Sequence, residues 1–397
     1  FFLSTIDILR NQKGVFAAPR TQKKSLHGGL IVFQFFISTV LIISTIVVNR
    51  QLHFMQNKKL GYDKDQLLFL SDTRALAKNQ VAFQDRLLQH KNVVSASISR
   101  NVPIGNIIDG TQIFPKNETG NGTEIHTDIF HIDYDYIRTI GLQVLQGRDF
   151  SKKFSTDSSG VIINESAVRE LGWNGTNPIG KSIVRSGQKE FKVIGVVRDF
   201  NYTSVKQKIA PLMMMLGNNG GGLVLKIKTD DVQPFLADLK KQWEVFNPDA
   251  PLQYHFLDDK YAALYVAEQR TQQLFTVFSI LAVIIAGLGL FALSAFVIEQ
   301  RTKEVGIRKV MGASVVGIVA LLSKDFLKLI LIAIVIAAPI GWYAMTHWLE
   351  TFAYRINVEW WMFALAGLLA IGIALLTVSF QAVKAALMNP IKSLKTE

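Results

Sequence analysis

The chain has 397 residues, 49% of them hydrophobic, a formal net charge of +12 and no cysteine, which excludes a disulfide framework and thiolate metal sites. Its apolar residues are gathered in blocks, which points away from a purely soluble enzyme; the positive charge then has an explanation in membrane topology, and a nucleic-acid partner is not needed. The histidines (27, 53, 90, 126, 131, 255, 347) show no H-E-x-x-H or other paired spacing, so they are expected at the surface or singly bonded.

The first segment, residues 1–29, carries Arg10, Lys13, Arg20, Lys23 and Lys24 and is expected on the cytoplasmic side. Within it Ile6-Asp-Ile-Leu-Arg10 echoes Ile391-Lys-Ser-Leu-Lys395, as though the first residues were the tail of an earlier copy of the same module. Residues 30–48 (LIVFQFFISTVLIISTIVV) contain no charge and are long enough to cross a hydrocarbon core of about 30 Å. Residues 49–270 follow as a loop long enough to fold around its own core. β-rich runs at 93–99, 160–163, 191–197 and 222–228 alternate there with helical patterns at 74–90, 164–171 and 232–246. The mixture predicts an α+β domain of two subdomains, with Gly/Asn-rich 117–122 as an excursion. Asp133, Asp135, Asp149 and Asp199 are expected as turn residues and helix caps rather than as catalytic groups.

One stretch of this domain, Gly175-Thr-Asn-Pro-Ile-Gly-Lys-Ser182, matches the phosphate-cradling pattern G-x-x-x-x-G-K-[ST]. A working phosphate loop follows a strand and opens a helix, but here a helical pattern precedes the motif and a predicted hairpin, turning at 186–188, follows it. Pro178 also removes a backbone donor. The expectation is a helix-to-strand turn without nucleotide.

From Asp258 to Gln300 neither Pro nor Gly occurs before Gly287, which predicts a continuous stalk helix of about 60 Å at 1.5 Å per residue, the alternative being a separate outer helix joined by a short turn. It contains the second span, 274–298. The inner segment 299–314 comes next, with Arg301, Lys303, Arg308 and Lys309. Glu304 and Arg308 are spaced to pair on a helix, Val305, Ile307, Val310 and Met311 are apolar, and Gly312 allows a sharp exit before Ser314 caps the next helix. A third span is expected over 315–345, kinked at Pro339, and a fourth over 362–383. Between them the outer loop 346–361 has one Arg (Arg355) against Glu350 and Glu359, and lies among Trp342, Trp348, Trp360 and Trp361. Lys384, Lys392 and Lys395 mark the tail 384–397 as cytoplasmic. Ala282 and Ala286, then Ala366, Ala370 and Ala374, recur at the spacing that lets helices approach closely in lipid. No ionisable residue falls mid-span, which argues against a proton relay. The predicted fold class is therefore a membrane protein with four transmembrane α-helices and a large α+β extracytoplasmic domain inserted between the first and second.

Glu304-Val-Gly-Ile-Arg-Lys-Val-Met-Gly-Ala313 resembles the coupling segment of ABC-transporter permeases of the MacB/FtsX type, whose pattern is E-[IV]-G-[IL]-x-[RK]-x-x-G-A. The stretches YIRTIGLQVLQGRDF, VIINESAVRELGW, NPIGKSI and FKVIGVVRDF resemble successive pieces of that family's extracytoplasmic core domain, and NPIKSLKTE its C-terminal signature. One span, one outer domain and three further spans match one family unit, or the second half of a double-length permease. The resemblance implies a chain that is not itself an enzyme and binds no cofactor, with ATP held by a separate cytoplasmic ABC ATPase. It implies that Glu304, Val305, Gly306, Ile307, Arg308, Lys309, Met311, Gly312 and Ala313 dock on that ATPase. The other partners implied are the lipid bilayer of a bacterial inner membrane and a second permease module or chain, with a periplasmic adaptor and an outer-membrane channel as further candidates. The implied function is mechanotransmission that exports or extracts a small molecule, peptide or lipoprotein. An alternative is a non-transporting signal transmitter that activates a cell-wall hydrolase; a sensor receptor is disfavoured because no kinase or cyclase motif follows the spans.

Overall fold

The computed structural model describes residues 20–103, 109–116, 124–185, 189–217 and 221–387. The echo of 6–10 in 391–395, the excursion at 117–122, the hairpin turn at 186–188 and the C-terminal NPIKSLKTE lie outside the described residues. The chain divides into two compact units. One contains residues 1–54, 268–351 and 355–397, the other residues 55–267 and 352–354.

The second unit holds two sheets. Strands β1 (Leu67–Ser71), β2 (Val93–Ile98), β10 (Gly222–Ile227) and β11 (Gln253–Phe256) form an antiparallel sheet in the order β11-β1-β10-β2. The run Leu67-Leu-Phe-Leu70 is continuously apolar because both faces of its strand are covered. Leu68 and Leu70, beside Leu225 and Leu223, face α2 (Gln80–Leu88) and α5 (Val232–Phe246) through Phe83, Leu87, Phe235, Leu239 and Trp243. Leu67 and Phe69, with Val224, face the other sheet. That sheet comprises β3 (Gly110–Pro115), β4 (Ile125–Ile132), β5 (Val144–Gly147), β6 (Gly160–Asn164), β7 (Ser182–Arg185), β8 (Lys189–Val197) and β9 (Leu212–Leu216). Its order is β5-β8-β6-β9-β4-β3-β7, and β7 returns to pair with β8, so the strands close into a small barrel with β5 as a branch. Phe130, Ile132, Ile162, Leu212 and Met214 pack with the four-stranded sheet and so form the outer face. The alternating partners Ile129, Val161, Ile163, Ile183, Phe191, Val193, Met213 and Met215 are left to fill the inside. Two short helices, α3 (Tyr136–Ile140) and α4 (Glu165–Glu170), connect strands of this sheet; Asn164 caps α4 by accepting from the Ala167 N–H at 3.0 Å.

The first unit consists of α1 (Arg20–Asn57), most of α7 (Val266–Gln300), α8 (Thr302–Val310), α9 (Val315–Leu349) and α10 (Trp360–Leu387). Among the described residues, three helical stretches are long and apolar enough to cross a membrane: Gly28–Asn57, Val266–Gln300 and Trp360–Lys384. Helix α9 carries Pro339 inside its 35 residues. Small residues sit where helices meet. Ala286, Ala333, Ala370 and Ala374 are buried with Ile31, Phe35 and Leu290, and Ala366 with Ile43, Met345 and Met362. Ala282 of the same expected series is only partly buried.

The helix from 258 to 300 is not continuous. Helix α6 (Leu257–Ala263) ends in a tight turn in which the Leu264 and Tyr265 amides donate to the Tyr261 and Ala262 carbonyls, and α7 starts afresh at Val266. The absence of Gly and Pro did not prevent the break. Tertiary anchoring decides it: Tyr265 is fully buried edge-to-face against Tyr261, whose hydroxyl donates to the Met55 carbonyl at 2.7 Å.

Candidate functional site

The inner segment is a helix, a tight reversal and a second capped helix. Arg301 stands at the N-terminus of α8, and its guanidinium reaches Asp325 of α9 at 3.1 Å. Val305 is buried against Ile298, Ile318, Leu322 and Ala382, and Gly306 beside it is also buried. That face fastens α8 to its neighbours. On the other side Glu304 and Arg308 pair at 2.9 Å, each half-exposed, a contact worth about 0.2–0.5 kcal/mol at a helix surface.

The exit from α8 is closed by two bonds in the pattern of a Schellman motif. The Ala313 N–H donates to the Arg308 carbonyl at 2.9 Å and the Gly312 N–H to the Lys309 carbonyl at 3.1 Å. This geometry requires Gly312 in the left-handed region, where its φ is +88°. One residue after Ala313, the Ser314 hydroxyl accepts from the Gly317 N–H at 3.1 Å and caps α9. The helix-breaking and helix-starting signals thus lie back to back, and the chain reverses without a loose loop. Ile307, Val310 and Met311 project from the reversal; Met311 is 81% exposed. Val315 and Val316 extend this apolar knob from the start of α9.

All nine residues singled out in the sequence lie in this one structure, yet they do not share one role. Val305 and Gly306 face inward, whereas Glu304, Ile307, Arg308, Met311, Gly312 and Ala313 are exposed and Lys309 is half-buried. Sequence reasoning missed Val315, Val316 and the Arg301–Asp325 tie. The valines read as the first turn of a span, and a pair 24 residues apart leaves no local periodicity to detect.

The phosphate-loop look-alike is a turn entering β7. Gly175 and Gly180 both have positive φ, and the Gly180 N–H donates to the Val193 carbonyl at 2.8 Å. The Lys181 ammonium donates to the Thr176 hydroxyl at 2.8 Å and lies over the Trp173 ring. Its charge is taken up locally and points into no helix-capped cradle. The aspartates do more than cap. Asp133 accepts from the Ser97 hydroxyl and the Ile98 N–H, both at 2.7 Å, joining the two sheets, and Asp199 holds Ser166 and Arg169 of α4.

Residues 37–237 match the MacB-like periplasmic core domain and residues 276–390 match the FtsX-like permease C-terminal domain. The chain belongs to the MacB/FtsX-type permease family. Similar proteins include the macrolide export ATP-binding/permease protein MacB of Aggregatibacter actinomycetemcomitans, 23% identical over 65% of this chain and 42% of that protein. The MacB of Neisseria gonorrhoeae is 23% identical over 70% of this chain and 44% of its own length. The chain thus spans less than half the length of these relatives. Among solved structures, the periplasmic region of MacB from Actinobacillus actinomycetemcomitans aligns with 51% of this chain and 94% of its own, at 14% identity and a TM-score of 0.38. The extracellular domain of the ABC-type transporter YknZ from Gram-positive bacteria aligns with 48% of this chain and 96% of its own, at 16% identity and a TM-score of 0.33. As a MacB/FtsX-type permease the chain is a membrane protein whose inserted α+β domain is of the extracytoplasmic kind.

Proposed function

We propose that this chain is the transmembrane permease part of an ABC-type exporter in a bacterial inner membrane. In this reading it converts ATP-driven motion of a separate cytoplasmic ATPase into movement of its outer domain, and itself neither binds nor hydrolyses nucleotide. The observation that carries the reading is the tight, hydrogen-bonded reversal at 307–316. An exposed apolar knob flanked by Arg308 and Lys309 is anchored from behind by Val305 and stiffened by the turn at Gly312. Such a projection can be seated in a groove of a partner and transmit force without folding up.

Four spans belong to the same proposal. With α1, α7 and α10 alone crossing, Arg301–Lys309 and the Lys384–Lys395 tail would fall on opposite sides of the membrane. A crossing by α9, which has an uncharged run at 329–345, puts every basic segment on one side. The cargo would be handled at the outer face, as a small molecule, a peptide or a lipoprotein, with a second permease module and adaptor and channel proteins completing the machine. The macrolide named for the relatives is one cargo of the small-molecule kind.

The test is ATPase stimulation by the reconstituted chain. Arg308→Glu and Met311→Glu alter exposed side chains and are expected to leave membrane insertion unchanged while lowering stimulation at least tenfold. Unchanged stimulation in both would remove the docking role.

A further inference from the structure

The loop 350–359 between α9 and α10 divides its allegiance. Its second half belongs with the helices: the Ile356 N–H donates to the Gln51 side chain at 3.0 Å, and Ile356 and Val358 pack with Ile42, Val47 and Met362. Its first half, residues 352–354, belongs to the compact unit formed by the outer domain. There Phe352 is buried, the Ala353 N–H donates to the Lys206 carbonyl at 2.9 Å, and the Lys58 ammonium lies over the Tyr354 ring. That ammonium is buried and has no hydrogen-bond partner among the described residues, so the aromatic face is what compensates its charge.

We propose that residues 352–354 are a permanent clasp, which makes the α9–α10 hairpin a third attachment of the outer domain besides the two covalent ones through α1 and α7. Phe352, Ala353 and Tyr354, with Lys58 and Lys206, act as positioning residues for the motion. Because α9 begins at the Ser314 cap, displacement of the inner reversal is delivered to the outer domain along α9 as well as along α7. A backbone hydrogen bond, a buried ring and a desolvated cation on an aromatic face are three contacts of different chemistry, and together they hold the strap where any one would be weak. The proposal rests on the reading that an ATPase drives this chain, but its central contact can be tested without ATP.

The chain contains no cysteine, so a disulfide between Ala353→Cys and Lys206→Cys can be read without background. The full-length chain, alone in nanodiscs and in complex with its co-purifying ATPase, is oxidised with copper phenanthroline. Oxidation is done without nucleotide and after vanadate trapping. The expected result is a high yield of internal disulfide in every condition, absent from both single-cysteine variants, with ATPase turnover retained within about twofold. A yield below about a tenth in the resting chain would show that the clasp does not form. A yield that collapses on trapping, or a disulfide that arrests turnover, would show that the loop must leave the domain, which overturns its permanence. If no ATPase co-purifies, the functional reading fails while the yield in the chain alone still decides the clasp. A second variant, Tyr354→Leu, keeps bulk but removes the aromatic face. It is expected to lower the disulfide yield severalfold, and an unchanged yield removes Lys58 and Tyr354 from the clasp.

Discussion

The segment Gly147-Arg-Asp-Phe150 puts two carboxylates under opposite regimes within a few residues of sequence. Asp157 is almost fully buried and takes a two-pronged contact from the Arg148 guanidinium, at 2.8 and 2.5 Å, plus the Ser151 N–H at 2.9 Å. Its hydrogen bonds to Arg148 hold its carboxyl below the usual carboxylate range. Asp149 is pushed up to about 6, first by burial and further by Asp135 and Asp133, against the N–H it accepts from Phe150 and the charge of Arg138. The linkage signs therefore differ. The stabilisation from Asp157 is present above its unfolded value and is lost as pH falls through its lowered folded one. The stabilisation from Asp149 is present below about 3.8 and is lost as pH rises through about 6. Melting curves of the full chain in detergent should then separate the two substitutions. Asp149→Asn keeps an acceptor for the Phe150 N–H and is expected to melt above the parent at pH 7.5, with the gap closing near pH 4. Asp157→Asn is expected to melt below the parent at pH 7.5, and its gap should close only at more acid pH. Parallel shifts of the same sign would refute this assignment. GRDF was legible in the sequence as a family resemblance only, since the partner Asp157 lies outside the motif and its burial is a tertiary fact.

At the scale of elements, local signals carried furthest where two of them were adjacent. Gly312 followed by Ser314 announces a helix stop and a helix start, and both bonds are found. Val232–Phe246 was equally legible, with apolar Phe235, Leu239 and Trp243 at helical spacing and the Asp231 side chain accepting from the Gln233 N–H at its start. The hairpin of β7 with β8 was legible from the turn at 186–188, but the pairing of β7 with β3, which closes the barrel, was not, because no residue near 182–185 specifies a long-range neighbour. Two substitutions in the inner reversal follow from this geometry. An added Cβ at Gly312 meets nothing within 4 Å, so Gly312→Ala pays only for the left-handed backbone, about 1–2 kcal/mol. Ser314→Ala loses a cap worth about 1 kcal/mol. Amide exchange over 302–317 should accelerate about 5- to 30-fold in Gly312→Ala and about fivefold in Ser314→Ala, with exchange in the outer domain unchanged. Equal acceleration everywhere would mean that the reversal is not an independent stiff unit.

For the whole molecule, the break at 264–265 constrains how the motion proposed for this chain would pass from α7 to the outer domain. A single uninterrupted rod would carry displacement by itself, and its outer end would need no particular anchor. With α6 and α7 as separate helices, a push along α7 reaches the outer domain only through what fixes the turn. That fixation is the buried Tyr265, its edge contact with Tyr261 at 5.0 Å between centroids, and the Tyr261 hydroxyl on the Met55 carbonyl where α1 ends. The sequence lacked any mark of this joint, since Tyr261 and Tyr265 at four-residue spacing look like any aromatic pair on a continuous helix face. Tyr261→Phe removes one neutral buried hydrogen bond and leaves a carbonyl unpaired, a loss of about 1–3 kcal/mol that a folded domain of this size can absorb. The variant should therefore insert and fold as the parent does and, under the proposed function, stimulate the partner ATPase equally, because the inner reversal is untouched. What it should lose is the response at the far end. In the parent complex, vanadate trapping is expected to change amide exchange over 257–265, and in Tyr261→Phe that change should fall by half or more. A full response in the variant would mean that the motion reaches the outer domain by another route, α7 acting as a rod or the strap at the end of α9, and the joint at Tyr265 would then be a structural detail without mechanical weight.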